Sequence, residues 1–370
     1  MTNSDNDDSI DANATMHGVY LTGHGGFDKL DYRTDIPIPK PNADDVLIKV
    51  GAAGINNTDI NTRTAWYSKA VRQGTDAGAA GGFDEIGEDG GWSGALDFPI
   101  IQGADCCGEI VAVGADIDPQ RIGERVLVRT MQANTRDNSN FTCITSGSER
   151  NGAFAQYMTA ESVHALAISS NWTDVELASV PCAYSTAEGM LSRANVANET
   201  VLVTGASGGV GSAAVQLSKR RGAQVIAMSS PSKAKDVESL GADRVIDRNS
   251  DLVSILGEDS VDVVIDVVAG EIWPSFLEVL KRGGRYVTSG AIAGPIVELD
   301  VRTLYLKDLS FYGSTYQGDE IFTNLLGYIE RNEIRPMVAK SYDLSDIIKA
   351  QEDFISKKHT GKLVLVPPQE

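Results

Sequence analysis

The pattern of apolar and polar positions changes near residue 170. In the first half, short apolar runs such as 46–55 and 108–128 alternate with turns, and prolines 37, 39 and 41 interrupt the chain between them. Proline cannot donate to a strand ladder, so these prolines separate strands rather than continue them. This half is therefore predicted to be an irregular, mostly antiparallel β domain.

After residue 170, apolar strands alternate with amphipathic helices. Thr173, with Glu176 three residues later, predicts the start of the first helix. Alternation of this kind predicts a parallel sheet covered by helices on both faces. We expect strands at 201–205, 224–229, 244–247, 261–268, 285–290 and 309–315, with helices at 209–222, 232–241 and 271–283. Helices at about 319–331 and 345–357 and a strand at 361–367 complete the chain.

The stretch VLVTGASGGVGSAAVQ, residues 201–216, passes from a strand through a glycine-rich turn into a helix. It carries a dinucleotide fingerprint with Ala206 in the first position, followed by Gly208 and Gly211. The small first residue permits the tight turn, Gly208 lets the backbone approach a pyrophosphate, and Gly211 lets the helix pack on the strand. The predicted contacts of this turn are Ala206, Ser207, Gly208, Gly209, Val210 and Gly211.

The end of the second strand predicts which dinucleotide binds. NAD sites usually carry an acidic residue there, but residues 227–233 read AMSSPSK and the first carboxylate is Asp236. Ser229 and Lys233 can instead hold a 2′-phosphate, which favours NADP(H). The alternative is that Lys233 is only an exposed residue in the first turn of a helix.

Charge and composition exclude several partners. The net charge of −19, from 32 basic and 51 acidic residues, disfavours nucleic acids and anionic membranes. No apolar run is long enough to span a bilayer, and the acidic N-terminus does not resemble a secretory signal. We expect a cytoplasmic protein whose residues 1–15 form a disordered tail.

The cysteines do not form a metal-binding pattern. Cys106 and Cys107 are adjacent and follow Asp105, while Cys143 and Cys182 stand alone, so no CxxC pair exists. A structural zinc site needs four converging ligands, usually in two close pairs. We therefore expect Cys106 and Cys107 to pack where the chain enters a strand.

Several further stretches carry a family resemblance. GAAGINNTDI, FPIIQGADCCGEIVAVG, IGERVLV, GAFAQYM, LGADRVID and GKLVLVP occur in family order around the glycine-rich turn. With them the chain resembles the medium-chain dehydrogenase/reductase superfamily, and especially its zinc-free, quinone oxidoreductase-like branch. The resemblance implies a GroES-like catalytic domain (16–168 and 316–370), a Rossmann NADP-binding domain (169–315), and a homodimer.

The resemblance also locates the metal ligands of the zinc-dependent members. Asn56 stands where they carry a cysteine, Ala104 where they carry a histidine, and Cys182 matches a third ligand position. One thiolate with an asparagine and a carboxylate is a poor zinc ligand set, so no metal is predicted. The alternative is an alcohol dehydrogenase or aldehyde reductase that recruits a metal through Asp105 and Cys182.

The same resemblance implies the catalytic residues Asn56, Asp59 and Tyr67, with Thr186, Ser289, Gly290 and Ser314 as further cofactor contacts. Asp59 would orient Asn56 or pair with Arg63, four residues on. Tyr67 would reach a substrate or pack under the long loop, and Cys182 would be a buried apolar residue rather than a reactive thiol.

The implied function is an NADPH-dependent, zinc-independent reductase of a small quinone, enone or other α,β-unsaturated carbonyl substrate. A second alternative is a non-catalytic NADP(H)-binding redox sensor. Residues 70–97, rich in glycine and acidic residues, form either a flexible surface excursion or a cover over the substrate, with Trp92 as their apolar anchor.

Overall fold

The computed structural model describes residues 13–84, 86–87, 89–133 and 143–370. Nearly all of the tail predicted at 1–15 lies outside these residues, and the first strand begins at Thr15. Within the described part of the chain, no helix is long and apolar enough to cross a membrane.

The first half consists mainly of short strands. Val46, Ile48 and Val50 of one strand point to the same face and pack into the core of this half, because successive side chains of a strand alternate between its two faces. The strands are β1 (Thr15–Leu21), β2 (Leu30–Pro37), β3 (Asp45–Gly54), β4 (Ile100–Ile101), β5 (Cys107–Val113), β6 (Arg125–Val128), β7 (Met131–Ala133), β8 (Cys143–Thr145), β9 (Tyr157–Glu161) and β10 (Ala165–Ala167). The helices are α1 (Asn57–Thr64) and α2 (Thr75–Gly78).

The second half alternates helices with strands. Its strands are β11 (Thr200–Val203), β12 (Gln224–Ser229), β13 (Arg244–Asp247), β14 (Val261–Asp266), β15 (Leu280–Thr288) and β16 (Ser310–Gly313). Its helices are α3 (Asp174–Leu177), α4 (Pro181–Arg193), α5 (Gly209–Arg220), α6 (Ala234–Ser239), α7 (Leu252–Leu256), α8 (Trp273–Val279) and α9 (Val301–Leu306). The returning segment contains α10 (Asp319–Glu330), β17 (Val338–Asp343), α11 (Ile347–Ile355) and β18 (Lys362–Val366).

The sheets confirm the predicted fold class. The six strands β13-β12-β11-β14-β15-β16 are all parallel, with helices connecting them, as in a Rossmann sheet. The other half contains the sheets β2-β1-β4 and β10-β6-β5-β3-β18-β17, in which β9 also pairs with β3. These pairs are antiparallel except β17 with β18, so the GroES-like half is completed by the returning C-terminal strand.

Three elements differ from the predicted pattern. The helix beginning near Thr173, whose predicted capping box is present, is divided in two, and α4 starts at Pro181 because proline fits the first turn of a helix. The helix predicted at 271–283 ends at Val279, and Leu280 already pairs with Val261 in the sheet. Strand β17 is missed because it is an edge strand in which only Tyr342 is fully buried.

Arg63 in α1 joins three distant segments of the catalytic half. Its side chain is completely buried and donates to Gln351 Oε1 at 2.9 Å, Gly25 O at 2.8 Å and Ala79 O at 2.6 Å. Burial lowers the pKa of this guanidinium to about 10, which leaves it charged at neutral pH. One side chain therefore fixes α1, and the catalytic candidates on it, against α11 and the loop after α1.

We predict that Arg63→Met lowers the free energy of unfolding by about 3 kcal/mol or more, because three acceptors lose a charged donor. Denaturant titration of the full chain measures this change. The matched control is Arg33→Met, which removes an exposed ion pair with Asp35 and is expected to change stability by less than about 1 kcal/mol. Equal losses in the two variants would contradict the role assigned to Arg63.

Candidate active site

The glycine-rich turn joins β11 to α5 where the strand order of the parallel sheet reverses. Such a switch point is the usual place for a dinucleotide in this kind of sheet. A Cβ on Gly211 would lie 2.2 Å from the carbonyl oxygen of Gly205, so only glycine lets α5 start this close to β11. A Cβ on Gly208 would contact only Gly205 O, at 3.4 Å, which leaves its backbone open to a ligand.

Ala206 does not have the position that the sequence predicts. It is fully buried behind the turn, its N–H donates to Met228 O at 3.1 Å, and it is not among the residues that line the cavity. The tight turn is made by Gly205, whose φ of +57° lies in the left-handed region that favours glycine. The small first residue of the fingerprint is therefore needed for packing, and the turn itself is one residue earlier.

A cavity of about 910 Å³ runs from this turn to the catalytic half. The other predicted cofactor contacts all line it: Thr186, Ser207, Gly208, Gly209, Val210, Gly211, Ser229, Lys233, Ser289, Gly290 and Ser314. These residues come from α4, the turn after β11, and the ends of β12, β15 and β16. They meet because parallel strands bring their carboxyl ends to one edge of the sheet.

One end of the cavity is cationic. Lys233, Arg248 and Lys357 line it beside Ser229, and Lys233 Nζ donates to Lys357 O at 2.6 Å. His359 lines the same end, but burial lowers its pKa to about 4, so this imidazole is neutral at pH 7. Burial and the nearby Arg248 lower the pKa of Lys233, and burial lowers that of Lys357 to about 8. Among the lining residues that the structure describes, Asp76 is the only carboxylate.

Sequence reasoning finds Lys233 but misses Arg248, Lys357 and His359. Arg248 directly follows β13, and its N–H donates to Ser229 O at the end of the neighbouring strand β12. The parallel pairing of consecutive strands is the signal that could have identified Arg248. Lys357 and His359 belong to the distant C-terminal segment, and no local pattern identifies them.

At the other end of the cavity, Asn56 begins α1 and Asp59 forms a capping box with it. The Asn56 N–H donates to Asp59 Oδ2 at 2.7 Å, so Asp59 orients Asn56. The alternative partner, Arg63, instead donates to Gln351 and two backbone carbonyls. Burial raises the pKa of Asp59 to about 7, although the Asn56 N–H favours its charged form. Asn56 lines the cavity and Asp59 lies behind it.

Tyr67 lies at the same end, under the long loop. Its hydroxyl donates to Thr58 Oγ1 at 3.1 Å, and its ring packs edge-to-face on Trp66 and Trp92. Burial raises the pKa of Tyr67 well above its usual value, so the phenol stays protonated. Tyr67 thus lines the cavity and also packs under the loop, while its contact with a substrate stays a prediction.

Three of the described residues of 70–97 lie against the cavity. Trp92, Thr75 and Asp76 line the cavity, and the Thr75 N–H donates to Ile292 O of the Rossmann half at 2.9 Å. A Cβ on Gly74 would lie 2.7 Å from the same carbonyl, which shows how closely the two halves approach here. Thr75, Asp76 and Trp92 lie where the covering interpretation predicts. Many other described residues of this segment are exposed, so for the rest of the segment the choice between the two interpretations stays a prediction.

Lys362 is the residue at this end that the sequence analysis misses. Its ammonium donates to Asn56 Oδ1 at 2.5 Å, Asp105 Oδ2 at 2.8 Å and Ile55 O at 3.0 Å. Lys362 and Asp105 are both buried, and Asp105 Oδ1 accepts from the Cys182 N–H at 2.6 Å. A lysine at the first position of the otherwise apolar strand KLVLV was the available signal, because a buried lysine needs an anionic partner.

These residues do not fit a zinc ion. By the resemblance, the ligand positions are Asn56, Ala104 and Cys182, and of these only Cys182 carries a side chain that commonly binds zinc. Asn56 Oδ1 and the neighbouring Asp105 Oδ2 both accept hydrogen bonds from the Lys362 ammonium. Across the described ranges, no three His, Cys, Asp or Glu side chains come together as a metal-binding group.

The adjacent cysteines have a packing role. Cys106 and Cys107 are buried on opposite sides of the chain at the start of β5, in the cores of the two halves. Burial raises the pKa of both thiols well above the usual range. They are therefore neutral, unreactive side chains, as the sequence predicts.

Comparison with known proteins agrees with this two-part architecture. Family models described as a zinc-binding dehydrogenase and as an alcohol dehydrogenase GroES-like domain match residues 209–331 and 42–170. A solved structure of an alcohol dehydrogenase candidate from Sinorhizobium meliloti 1021 is 44% identical, covers 98% of each chain and has a TM-score of 0.86.

Curated relatives cover nearly the whole chain at lower identity. A quinone oxidoreductase of Mus musculus is 28% identical over 95% of this chain and 98% of its own length. An NAD-dependent alcohol dehydrogenase of Sulfurisphaera tokodaii is also 28% identical, over 90% of this chain and 95% of its own. By its domain matches, its fold and these relatives, the chain belongs to the medium-chain dehydrogenase/reductase superfamily of nicotinamide-dinucleotide-dependent oxidoreductases.

Proposed function

We propose that this protein is an NADPH-dependent, zinc-independent reductase of a quinone, an enone or another α,β-unsaturated carbonyl compound. The observation that carries the proposal is the contrast between the two ends of one cavity. One end is cationic and suits a 2′-phosphate, while the other has aromatic side chains and a lysine ammonium paired with the buried carboxylate of Asp105. Similarity to quinone oxidoreductases supports the same substrate class.

The cofactor preference rests on charge at the end of β12. Ser229, Lys233 and Arg248 line the cavity there, and a 2′-phosphate is a dianion that charged donors bind strongly. An NAD site would present a carboxylate to the ribose instead. The nearest candidate, Asp236, accepts a hydrogen bond from Thr360 Oγ1 at 2.7 Å and does not line the cavity.

The aromatic walls favour a flat, conjugated substrate. Trp66, Tyr67 and Trp92 form a continuous edge-to-face series along one side of the cavity. Planar apolar molecules pack well against such rings, which prefer offset or edge-to-face contacts. Trp92 belongs to the segment 70–97, whose described residues Thr75 and Asp76 also line the cavity.

Bound NADPH supplies a hydride, and an activated conjugated acceptor needs no metal to receive it. Thr186, Ser289 and Ser314 line the middle of the cavity and would orient the reduced ring against the substrate. Tyr67 holds a proton at Oη and can donate it, or a hydrogen bond, to the substrate oxygen as negative charge develops there. Asp59 keeps Asn56 in place through the Asn56 N–H.

The direct test measures NADPH oxidation by the full chain with a benzoquinone, a cyclic enone and an aldehyde, and NAD(P)⁺ reduction with primary alcohols. We expect turnover with the quinone or the enone that a metal chelator does not reduce. Zinc in near-stoichiometric amount, lost together with activity on chelation, would contradict the proposal. NADPH binding without turnover on any of these substrates would favour the sensor alternative.

We predict that Lys233→Ala and Arg248→Ala each weaken NADPH binding by about tenfold, because each removes a charged donor to the 2′-phosphate. NADH binding should change little, since NADH has a hydroxyl at that position. Fluorescence titration with both nucleotides measures the effect, and Lys235→Ala, an exposed lysine outside the cavity, is the control. Equal losses for NADPH and NADH would contradict the assignment.

Tyr67→Phe is predicted to lower kcat by roughly 10- to 100-fold, as expected when a proton donor is lost. The phenylalanine ring keeps the packing on Trp92, so NADPH affinity and thermal stability should stay near wild type. Steady-state kinetics measure the change, with Tyr342→Phe as control, since that hydroxyl bonds Asp353 on α11 away from the cavity. An unchanged kcat would make Tyr67 a packing residue only.

A further inference from the structure

Residues 73–76 form a strap from the catalytic half to the Rossmann half at the wall of the cavity. Thr75 and Asp76 of the strap line the cavity, and so do residues 290–293 of the Rossmann half. The Thr75 N–H donates to Ile292 O at 2.9 Å, and the Thr75 hydroxyl donates to the same oxygen at 3.4 Å. One carbonyl of the Rossmann half therefore accepts both donors of a single residue of the catalytic half.

Gly74 makes this close approach possible. A Cβ on Gly74 would lie 2.7 Å from Ile292 O and 3.0 Å from the carbonyl carbon of Ala293. The φ of Gly74 is −64°, which any residue adopts, so the backbone of the strap does not itself require glycine. The small residue is needed only because the two halves meet here.

The strap is fixed to the catalytic half on both of its sides. Trp66 Nε1 donates to Gln73 O at 2.9 Å, and the buried guanidinium of Arg63 donates to Ala79 O at 2.6 Å. The Trp66 ring also packs edge-to-face on Tyr67, the proposed proton donor. The strap and the substrate end of the cavity therefore share one framework.

The other partner, Ile292, is equally well fixed in the Rossmann half. The Ile292 N–H donates to Val267 O at 3.3 Å. The Ala293 N–H donates to Val268 O at 2.9 Å, and both valines follow β14 and line the cavity. Ser289, a predicted cofactor contact, lies three residues before Ile292. The contact between Thr75 and Ile292 thus joins the wall that faces the cofactor to the framework that carries the substrate end.

We propose that Thr75 is a positioning residue whose contact with Ile292 holds the cofactor wall of the cavity at a fixed distance from the substrate wall. Hydride transfer needs the two reacting carbons about 3–3.5 Å apart, so a small separation of the walls lowers its rate. The same contact closes one side of the cavity, and it therefore slows the departure of a bound dinucleotide. The proposal rests on dinucleotide binding and, for the hydride step, on the proposed reductase function.

The test variant is T75P, which removes both donors to Ile292 O. Thr75 is the first residue of α2, a position where proline is well tolerated, and the ψ of 162° at Gly74 suits a residue that precedes proline. T75V is the matched variant, because it keeps the N–H and the shape of the side chain and loses only the longer hydroxyl contact. We expect both chains to unfold at temperatures near that of the wild type.

The first measurement requires no substrate. The full chain is loaded with NADPH, the nucleotide is displaced by excess NADP⁺ in a stopped-flow instrument, and the loss of its fluorescence is followed. We expect release from T75P to be about tenfold faster than from the wild type, as for the loss of one hydrogen bond, with a smaller change in T75V. NADH, displaced by NAD⁺, replaces NADPH if the chain binds it more tightly. Equal release rates in T75P and the wild type overturn the proposal.

The second measurement isolates the hydride step. Enzyme in excess over NADPH is mixed with a benzoquinone or a cyclic enone, so that a single turnover reports hydride transfer and not product release. The rate is expected to fall at least about tenfold in T75P and less in T75V, while the unfolding temperature stays near wild type. A wild-type rate in T75P overturns the positioning role. A loss in T75V as large as in T75P overturns the role of the backbone donor.

G74A is an independent variant that separates the strap from the Rossmann half by steric contact with Ile292 O and leaves both Thr75 donors in place. It is expected to show the same two changes as T75P, and wild-type behaviour of G74A in both measurements overturns the proposal. If T75P does not fold, G74A decides both measurements. Absence of turnover in the wild-type chain contradicts the reductase function and leaves the release experiment to decide on Thr75.

Discussion

The buried ion pair between Lys362 and Asp105 is the interaction on which the catalytic end of the cavity depends. Removing two charges from water costs several kcal/mol each, and this cost is offset only if every donor and acceptor finds a partner. Here the partners are Asn56, the Ile55 carbonyl and the Cys182 N–H. They belong to the start of α1, the end of β3 and the start of α4, so satisfying one charge pair fixes where these elements meet.

The C-terminal return segment links this pair to the cofactor end of the cavity. Lys357 and His359 line the cationic end, and Lys362, three residues beyond His359, reaches the opposite end. Between them, the Gly361 N–H holds the cofactor turn through Ser207 O. A segment of six residues, 357–362, therefore contacts both ends of the site. Any change in how β18 enters the sheet would alter the cofactor and substrate ends together.

Structural features formed by residues that are neighbours in the sequence can be predicted from it. Contacts between side chains from distant segments cannot. The strand, glycine turn and helix at 201–216 are consecutive, so their spacing identifies the fold and five of the predicted cofactor contacts that line the cavity, Ser207 to Gly211. The tight turn lies at Gly205 and not at Ala206, which is a difference of one residue within the predicted motif. Lys362 and Asp105 are 257 residues apart, and neither position alone indicates that the other will neutralise it.

The family resemblance identifies some of the distant residues that meet at this end of the cavity. It identifies Asn56, Ala104 and Cys182 as altered or leftover ligand positions, which predicts that no metal binds there. It does not identify Lys362, because this lysine belongs to a strand that carries no metal ligand in the family pattern. Only the antiparallel pairing of β18 with β3, which brings Val364 opposite Gly54, places the start of β18 beside the altered ligands.

The cations of the cavity fall into two groups with different consequences. Lys362 has used its three donors within the protein, so its charge positions neighbouring groups and is not available to a ligand. Arg248 is exposed, and in the described part of the chain its guanidinium has no side-chain hydrogen-bond partner, so it can bind a phosphate. In a chain of net charge −19, a cationic cavity also concentrates the protein's positive potential where an anionic cofactor enters. The acidic surface therefore repels polyanions while the cavity remains suited to a small one.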